Sequence, residues 1–382
     1  MRSMIAKFLQ AYRFPLGLFV VLRVWTMVWA SFAAQSIPPA PGAAGFYYGM
    51  EPLKDFIFAP WQRWDTLWYT KIAVMGYTTD LSSHFPPLYP LLIRGFMLMT
   101  GANAVAAGLI LASVGALASF VMLYHLAREM FTARAARRAV LFLGVFPTAF
   151  FLFAAYTEAV FLAFALGAFL LARRQAWVWA GILGACAAMT RPQGMLFVLP
   201  LAVEFWCQYR KGEIAWSRAW TLLPVLFGGV AHISWLAIQF GNLNAWFQSE
   251  AVMHRISPPW QVVAAGWGSV ARASSGMEAL LSLLDPLGIF ILLAALVWSA
   301  RRLPLSMTVY LAIIVAPSLF VITTYSDAYP LTSVSRFVVL AFPLFLLLGT
   351  LNARWWEQFV VAVSFLLQTL LLVLFSAWVF VR

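Results

Sequence analysis

FAPWQRWDTLWYTKIAVMGY (residues 58–77) is crowded with aromatic side chains and carries one acid, Asp65, in their midst. Trp61, Trp64, Trp68 and Ile72 recur at helical spacing and define an apolar stripe. An ordinary interfacial helix keeps its tryptophans at headgroup level and its acids on the opposite face. Asp65 instead falls inside the stripe, between Trp61 and Trp68, while Gln62, Thr66 and Thr70 take the polar side. Desolvation raises the pKa of such a carboxylate unless a cation or hydrogen bonds favour its ionised form, and Arg63 and Lys71 are nearby cations. A positioned carboxylate of tuned basicity is what a general base requires. The bland alternative is a structural ion pair.

Outward from this stretch the chain is apolar throughout. Of its 382 residues, 63% are hydrophobic and 10% charged, too few charges for the surface of a soluble domain of this length. Apolar runs of roughly 15–25 residues match helices crossing about 30 Å of hydrocarbon, and the two-residue alternation of an outer-membrane barrel is absent. The expectation is an all-α polytopic membrane protein with spans at 14–34, 104–127, 139–153, 157–172, 176–190, 193–208, 219–240, 286–300, 305–323, 334–351 and 356–380. The opening MRSMIAKFLQAYR has the charge of a signal peptide, but the apolar stretch after it is too long for one, so an uncleaved first span is expected.

Charge sets the topology. The N-terminal segment and the loops at 128–138, 173–175, 209–218, 301–302 and 352–354 hold 15 lysines and arginines against Glu129, Glu204, Glu213 and Glu357. The other connections hold eight basic and nine acidic residues, so the first set is expected in the cytoplasm and Asp65 outside. Because the net charge of +12 lies in short clusters and forms no stripe, no nucleic-acid partner is expected. FPPLYPLLIRGFMLMTG (85–101) carries three prolines and Arg94, which marks it as half-inserted. That leaves about 11 crossings, with 12 or 13 as alternatives, in one membrane domain (1–382) with outer loops at 35–85 and 241–285. Cys186 and Cys207 lie inside apolar runs and offer no disulfide framework.

Further polar residues collect at the outer face. HFPPLYP (84–90) bends the chain into the membrane and presents His84 and Tyr89. AAYTEA brings Tyr156 and Glu158, MTRPQG brings Thr190 and Arg191, and SVSRFVVLAFP brings Arg336, preceded by Asp327 in TTYSDAYPLTS. Simple snorkelling is the alternative for each. Guanidinium groups at the lipid–water boundary suit a phosphate at headgroup depth. Arg23 is a further polar residue inside the first span, and His125 and His232 are expected to be satisfied packing residues without metal-site spacing. No GxxxxGK[ST] loop, HExxH pair or GxSxG elbow occurs, and no cytoplasmic domain is large enough for a nucleotide-sugar fold. The substrate is therefore expected from within the membrane.

RWDTLWYTKIAVMGY (63–77), FPPLYPLLIR (85–94), FPTAFFLFAAYTEAVFLAFALGAFLLAR (146–173), MTRPQGMLFVLPL (189–201) and SRFVVLAFPLFLLLG (335–349) resemble, in this order, the bacterial branch of the PIG-V/Gpi18-type mannosyltransferases. The resemblance implies a GT-C glycosyltransferase fold and a polyprenyl-phosphate sugar donor, mannose in that family. It implies a bacterial cytoplasmic membrane location with the active site on the outer face. By motif position Asp65 is the catalytic acid residue, and Arg191 and Arg336 match family arginines inferred to contact the donor phosphate, joined by Arg63. Trp64, Trp68, Tyr69, His84, Tyr89, Tyr156 and Glu158 are expected to line the substrates, with Glu250, His254 and Arg255 of the second outer loop on the acceptor side.

A lipid-phosphate sugar is already activated, so one base and cations suffice, with inversion at the anomeric carbon. No cofactor is required; magnesium or manganese on Asp65 and Glu158 is the alternative source of positive charge. The partners expected are the polyprenyl-phosphate sugar, a lipid- or glycan-linked acceptor and membrane lipids. Rival readings are a lipid-linked sugar flippase and a noncatalytic subunit of a transferase complex.

Overall fold

The computed structural model describes residues 2–40, 43–324, 326, 329–331, 333–351 and 354–381. Asp327 lies outside them, as do Asn352 and Ala353 of the last basic loop. Sixteen α-helices are found among the described residues. The first eight are α1 Arg2–Ser36, α2 Asp65–Met75, α3 Leu88–Thr100, α4 Ala104–Met130, α5 Ala133–Val145, α6 Glu158–Arg173, α7 Trp177–Ala188 and α8 Val198–Arg210. The remainder are α9 Leu223–Phe240, α10 Ala245–Met253, α11 Pro259–Ala271, α12 Gly276–Arg302, α13 Leu305–Phe320, α14 Val334–Val338, α15 Phe342–Thr350 and α16 Arg354–Ser376. Two short strands, β1 His254–Ile256 and β2 Val321–Thr323, pair antiparallel with His254 opposite Thr323 and Ile256 opposite Val321.

Five helical stretches are long and apolar enough to cross a bilayer: Gln10–Ser36, Ala104–Met130, Trp216–Phe240, Gly276–Arg302 and Trp356–Ser376. The protein is a multi-pass membrane protein. The proline-rich 85–101 segment forms the 13-residue α3, whose length of about 20 Å falls short of the hydrocarbon thickness.

Several expected spans are broken helices, and proline is the cause in the clearest cases. The 139–153 run ends as α-helix at Val145, because Phe146, extended at φ −56° and ψ 141°, precedes Pro147. The chain resumes as a 3₁₀ turn at Ala149–Leu152. Non-helical backbone at this depth must find partners inside the protein. Gln368 of α16 supplies them, donating Nε2 to the carbonyls of Gly144 (2.9 Å) and Phe146 (3.2 Å), and Arg23 of α1 donates Nη1 to Phe153 O at 2.7 Å. Arg23 also lies over the Trp61 ring, 5.6 Å from its centroid. The 334–351 run divides in the same way into α14 and α15, the latter carrying Pro343 in its first turn.

The chain divides into two compact units, residues 1–74, 91–166 and 345–380 in the first and 75–90, 167–344 and 381–382 in the second. In the first, α1 packs along α16, α4 and α5. Asn103 and Thr132 cap α4 and α5, accepting from the amides of Ala106 and Ala135. In the second, α7 packs on α9, α8 on α13, and α12 on α11, α13 and α14. Small residues let α7 close on α9 and on the 3₁₀ turn Trp216–Leu222 before it: a Cβ on Gly228 of α9 would stand 2.6 Å from Ala185 O, and one on Gly181 of α7 2.0 Å from Thr221 O. Beside it a buried polar cluster joins helices. Glu204 accepts from Ser306 Oγ (2.6 Å) and Gln208 Nε2 (3.2 Å), and Gln208 accepts from Trp177 Nε1 (3.1 Å). Glu204, counted from sequence with the cytoplasmic loops, is an 8% exposed side chain of α8.

Candidate functional site

In the first unit the aromatic stripe does not lie on one helix. Trp61 belongs to a 3₁₀ turn, Ala59–Trp61, and Trp64 adopts a left-handed backbone at φ 49°. Asp65 is therefore the first residue of α2, the end of a helix whose free N–H groups favour an anion. The polar side expected for Gln62, Thr66 and Thr70 is the buried side: Thr66 and Thr70 are wholly inaccessible, and Thr70 Oγ1 donates to Thr66 O at 2.7 Å. Periodicity misled because the left-handed residue resets the phase of the helix.

A left-handed tryptophan costs on the order of 1–3 kcal/mol and persists only when its surroundings over-determine it. Here Phe46, Trp378 and Phe380 hold the Trp64 ring at centroid distances of 5.0, 5.6 and 5.1 Å. The Asp65 amide donates to Tyr156 Oη at 3.2 Å, and Tyr69 Oη lies 3.3 Å from Thr157 Oγ1. The YTE motif at 156–158 is thus joined to the tryptophan–aspartate motif, with Glu158 buried at the start of α6. Asp65 itself is half-buried. Tyr48 packs its ring 4.7 Å from Trp68, and burial and then the charge of Asp65 push its phenol pKa up. Lys71 lies over the other aromatic neighbour, 5.5 Å from the Trp68 centroid.

Arg63, expected beside the donor phosphate, is tied to backbone carbonyls. Its guanidinium donates to the carbonyls of Ser376 (3.0 Å), Ala59 (2.7 Å) and Gln62 (3.1 Å) and stacks 4.6 Å from the Trp378 centroid. Burial brings its pKa down to about 10, against a smaller opposing effect from Tyr47. These bonds make the side chain a strut under the Trp64–Asp65 turn.

In the second unit the proline segment and the arginine motifs meet. The Leu88 amide donates to Met189 O at 3.1 Å, which docks HFPPLYP beside MTRPQG, and Tyr89 is fully buried. Arg191, 7% exposed, opens the 3₁₀ turn Pro192–Phe197 and lies 5.5 Å from the Phe337 centroid. Arg336, 8% exposed, is the neighbour of Phe337 on α14. The charge of Arg191 also reaches the buried Tyr310 of α13, whose hydroxyl donates to Leu340 O at 2.7 Å. Sequence reasoning missed Asp285, a fully buried acid of α12 that accepts from the Ser335 amide at 2.9 Å and so caps α14 beside Arg336. Its position before Pro286, at the edge of an expected loop, concealed it; an acid inside the long apolar helix 276–302 was the available signal.

The second outer loop also differs from expectation. Glu250 and His254 lie together on α10 and at the start of β1, His254 Nδ1 being 3.0 Å from Glu250 Oε2. His84 joins them, its Nδ1 2.7 Å from Glu250 Oε1. Arg255, the next strand residue, is exposed and points to the other face, as strand alternation requires. His232 is not a satisfied packing residue: it is buried with no hydrogen-bond partner on either ring nitrogen. His125 does have partners, Tyr12 and Glu129. Asp65 and Glu158 gain no third acidic, histidine or cysteine donor among the described residues, so the alternative of magnesium or manganese on this pair has no three-donor set there.

Residues 84–238 match the model of the family described as dolichyl-phosphate-mannose-protein mannosyltransferase, a stretch that holds His84, Tyr89, Tyr156, Glu158 and Arg191 but neither Asp65 nor Arg336. The crystal structure of ArnT from Cupriavidus metallidurans bound to undecaprenyl phosphate is 14% identical, with a TM-score of 0.51 over 91% of this chain and 63% of that one. The chain has the GT-C fold. The apo form of the same ArnT is 16% identical, with a TM-score of 0.51 over 91% and 62% of the two chains. The Archaeoglobus fulgidus oligosaccharyltransferase tethered with an acceptor peptide is 13% identical, with a TM-score of 0.47 over 98% and 56%. The chain thus spans less than two thirds of the length of the ArnT it matches. No curated protein sequence gives a significant match.

Proposed function

We propose that the protein is an integral-membrane glycosyltransferase. It moves a hexose, mannose, from a polyprenyl-phosphate sugar to a lipid- or glycan-linked acceptor at the outer face of a bacterial cytoplasmic membrane. The family model supports the mannosyl donor, and the undecaprenyl phosphate bound by ArnT supports a polyprenyl carrier. One observation carries the reading. A strained Trp64 lifts Asp65 to the head of α2, where the YTE motif fixes its backbone through Tyr156.

In the reaction the Asp65 carboxylate takes the proton of the acceptor hydroxyl. The freed oxygen attacks the anomeric carbon from the face opposite the phosphate, and the carbon–oxygen bond to the polyprenyl phosphate breaks with inversion. The electron pair leaves on the phosphate, so no general acid is needed. Arg191 and Arg336 neutralise the departing charge as fixed, planar donors. Trp64, Trp68 and Tyr69 supply the apolar wall beside the base.

The test is direct. Purified protein incubated with polyprenyl-phosphate mannose and a native lipid extract should yield a lipid or glycan heavier by one hexose, read by mass spectrometry. Donor binding without product under any acceptor condition would favour the noncatalytic-subunit reading and overturn this one.

A further inference from the structure

Three metal-ligating side chains converge in the second unit. The 3₁₀ turn Asp80–His84 packs against α10, where Ser83 Oγ donates to Ala245 O at 3.3 Å. That contact brings His84 to Glu250, and the one-turn spacing of Glu250 and His254 completes the set. One ligand atom from each residue lies within 4.8 Å of the other two. The imidazole centroids of His84 and His254 are 5.2 Å apart. β1 fixes His254 from behind through its pairing with β2, and Thr324 N donates to Met253 O at 3.0 Å.

We propose that His84, Glu250 and His254 bind one divalent transition-metal ion of the zinc class and leave a fourth position for water. Two imidazoles and one carboxylate select zinc, cobalt or nickel over magnesium and calcium, which prefer all-oxygen sets. Metal–ligand bonds of about 2.0–2.1 Å place tetrahedral ligand atoms about 3.3 Å apart, a value bracketed by the 2.7 and 3.0 Å contacts of the imidazoles with the two Glu250 oxygens and the 4.8 Å limit of the three-atom set. A second observation points the same way. His232, buried and without a hydrogen-bond partner among the described residues, rests its ring 6.1 Å from that of Trp246 on α10, the helix that carries Glu250. A water carried by the ion is the kind of polar partner His232 lacks. Such an ion would clip residues 79–84 to the 245–256 segment.

The test uses the full chain in detergent, purified without a histidine tag and stripped with chelator. Titration with cobalt should give one equivalent bound, with visible ligand-field bands that zinc displaces. Glu250→Gln and His254→Gln should each weaken binding on the order of 100-fold, while His125→Gln leaves it unchanged. X-ray absorption on the zinc-loaded wild type needs no variant and should show two imidazole nitrogens and one carboxylate oxygen at about 2.0–2.1 Å. Failure to bind one equivalent, or a ligand shell unlike this one, overturns the proposal. Neither readout involves turnover, so the outcome is separate from that of the transferase reading.

Discussion

The acid-bearing segment of the first unit and the arginine-bearing segment of the second begin alike and are secured differently. Each starts a helix just after a non-glycine residue in the left-handed region, Trp64 at φ 49° before Asp65 and Ser333 at φ 57° before α14. Around Trp64 the support is aromatic: Phe46, Trp378 and Phe380 close on the ring, and Arg63 ties the turn to three carbonyls. Around Ser333 it is a directional hydrogen bond, Asp285 accepting from the Ser335 amide at the start of α14. The contrast lies in what holds each turn: aromatic rings and three backbone carbonyls tie down Trp64 and Arg63, while a carboxylate of α12 caps the helix that carries Arg336.

The contrast can be broken most sharply at the acid. Asp65→Asn preserves shape and the contact of its amide with Tyr156, so donor binding should persist while turnover falls by about 10²- to 10⁴-fold. A variant that keeps turning over would remove Asp65 from the chemistry, and one that still moves lipid donor across vesicles would revive the flippase reading. On the arginine side the loss should appear in binding. Arg191→Lys or Arg336→Lys keeps the charge but loses the planar fork, and donor affinity should drop about 10-fold, with glutamine at either position costing about 10- to 100-fold. Equal effects on binding from Arg63→Lys would contradict its assignment as a strut.

The two left-handed residues should respond with opposite sign. Ser333→Gly relieves strain while losing little packing, so the melting temperature should hold or rise, by up to about 1 kcal/mol of stability. Trp64→Gly relieves the same strain but empties an aromatic cage, and should destabilise by about 1–2 kcal/mol net. Thermal unfolding in one detergent compares them; a stabilised Trp64→Gly would show that the rings do not hold the turn.

Much of this was legible in the chain. The long apolar runs gave the membrane helices, and Phe146–Pro147 contained the break in the third expected span that Gln368 and Arg23 repair. The pairing of HFPPLYP with MTRPQG was visible only as two outer motifs, because the bond from Leu88 to Met189 joins residues a hundred positions apart. The helical stripe around Asp65 was misread since a periodicity count assumes an unbroken helix, and nothing in the letters RWD announces a tryptophan at positive φ. His232 was read as satisfied and Asp285 passed over for a related reason: a buried polar residue in an apolar helix looks alike in sequence whether it has a partner or not.

The smallest expected effect tests whether Asp65 carries its charge where the reaction needs it. Tyr48 reports on it, because burial first and the Asp65 carboxylate second raise its phenol above the ordinary value of 10.0. Replacing Asp65 by asparagine removes the second cause and leaves the first. The Tyr48 midpoint, read as the difference in near-ultraviolet phenolate absorbance between chains with and without Tyr48→Phe, should therefore fall but stay above 10. The sign carries into stability. A phenol raised in the folded state contributes stabilisation that is complete below the unfolded pKa and is lost as pH climbs through the folded one. Wild type should accordingly lose more stability on passing from pH 10 upward than Asp65→Asn does. Identical Tyr48 midpoints in the two proteins would mean that the carboxylate is not ionised beside that ring, and the general-base assignment would lose its electrostatic footing.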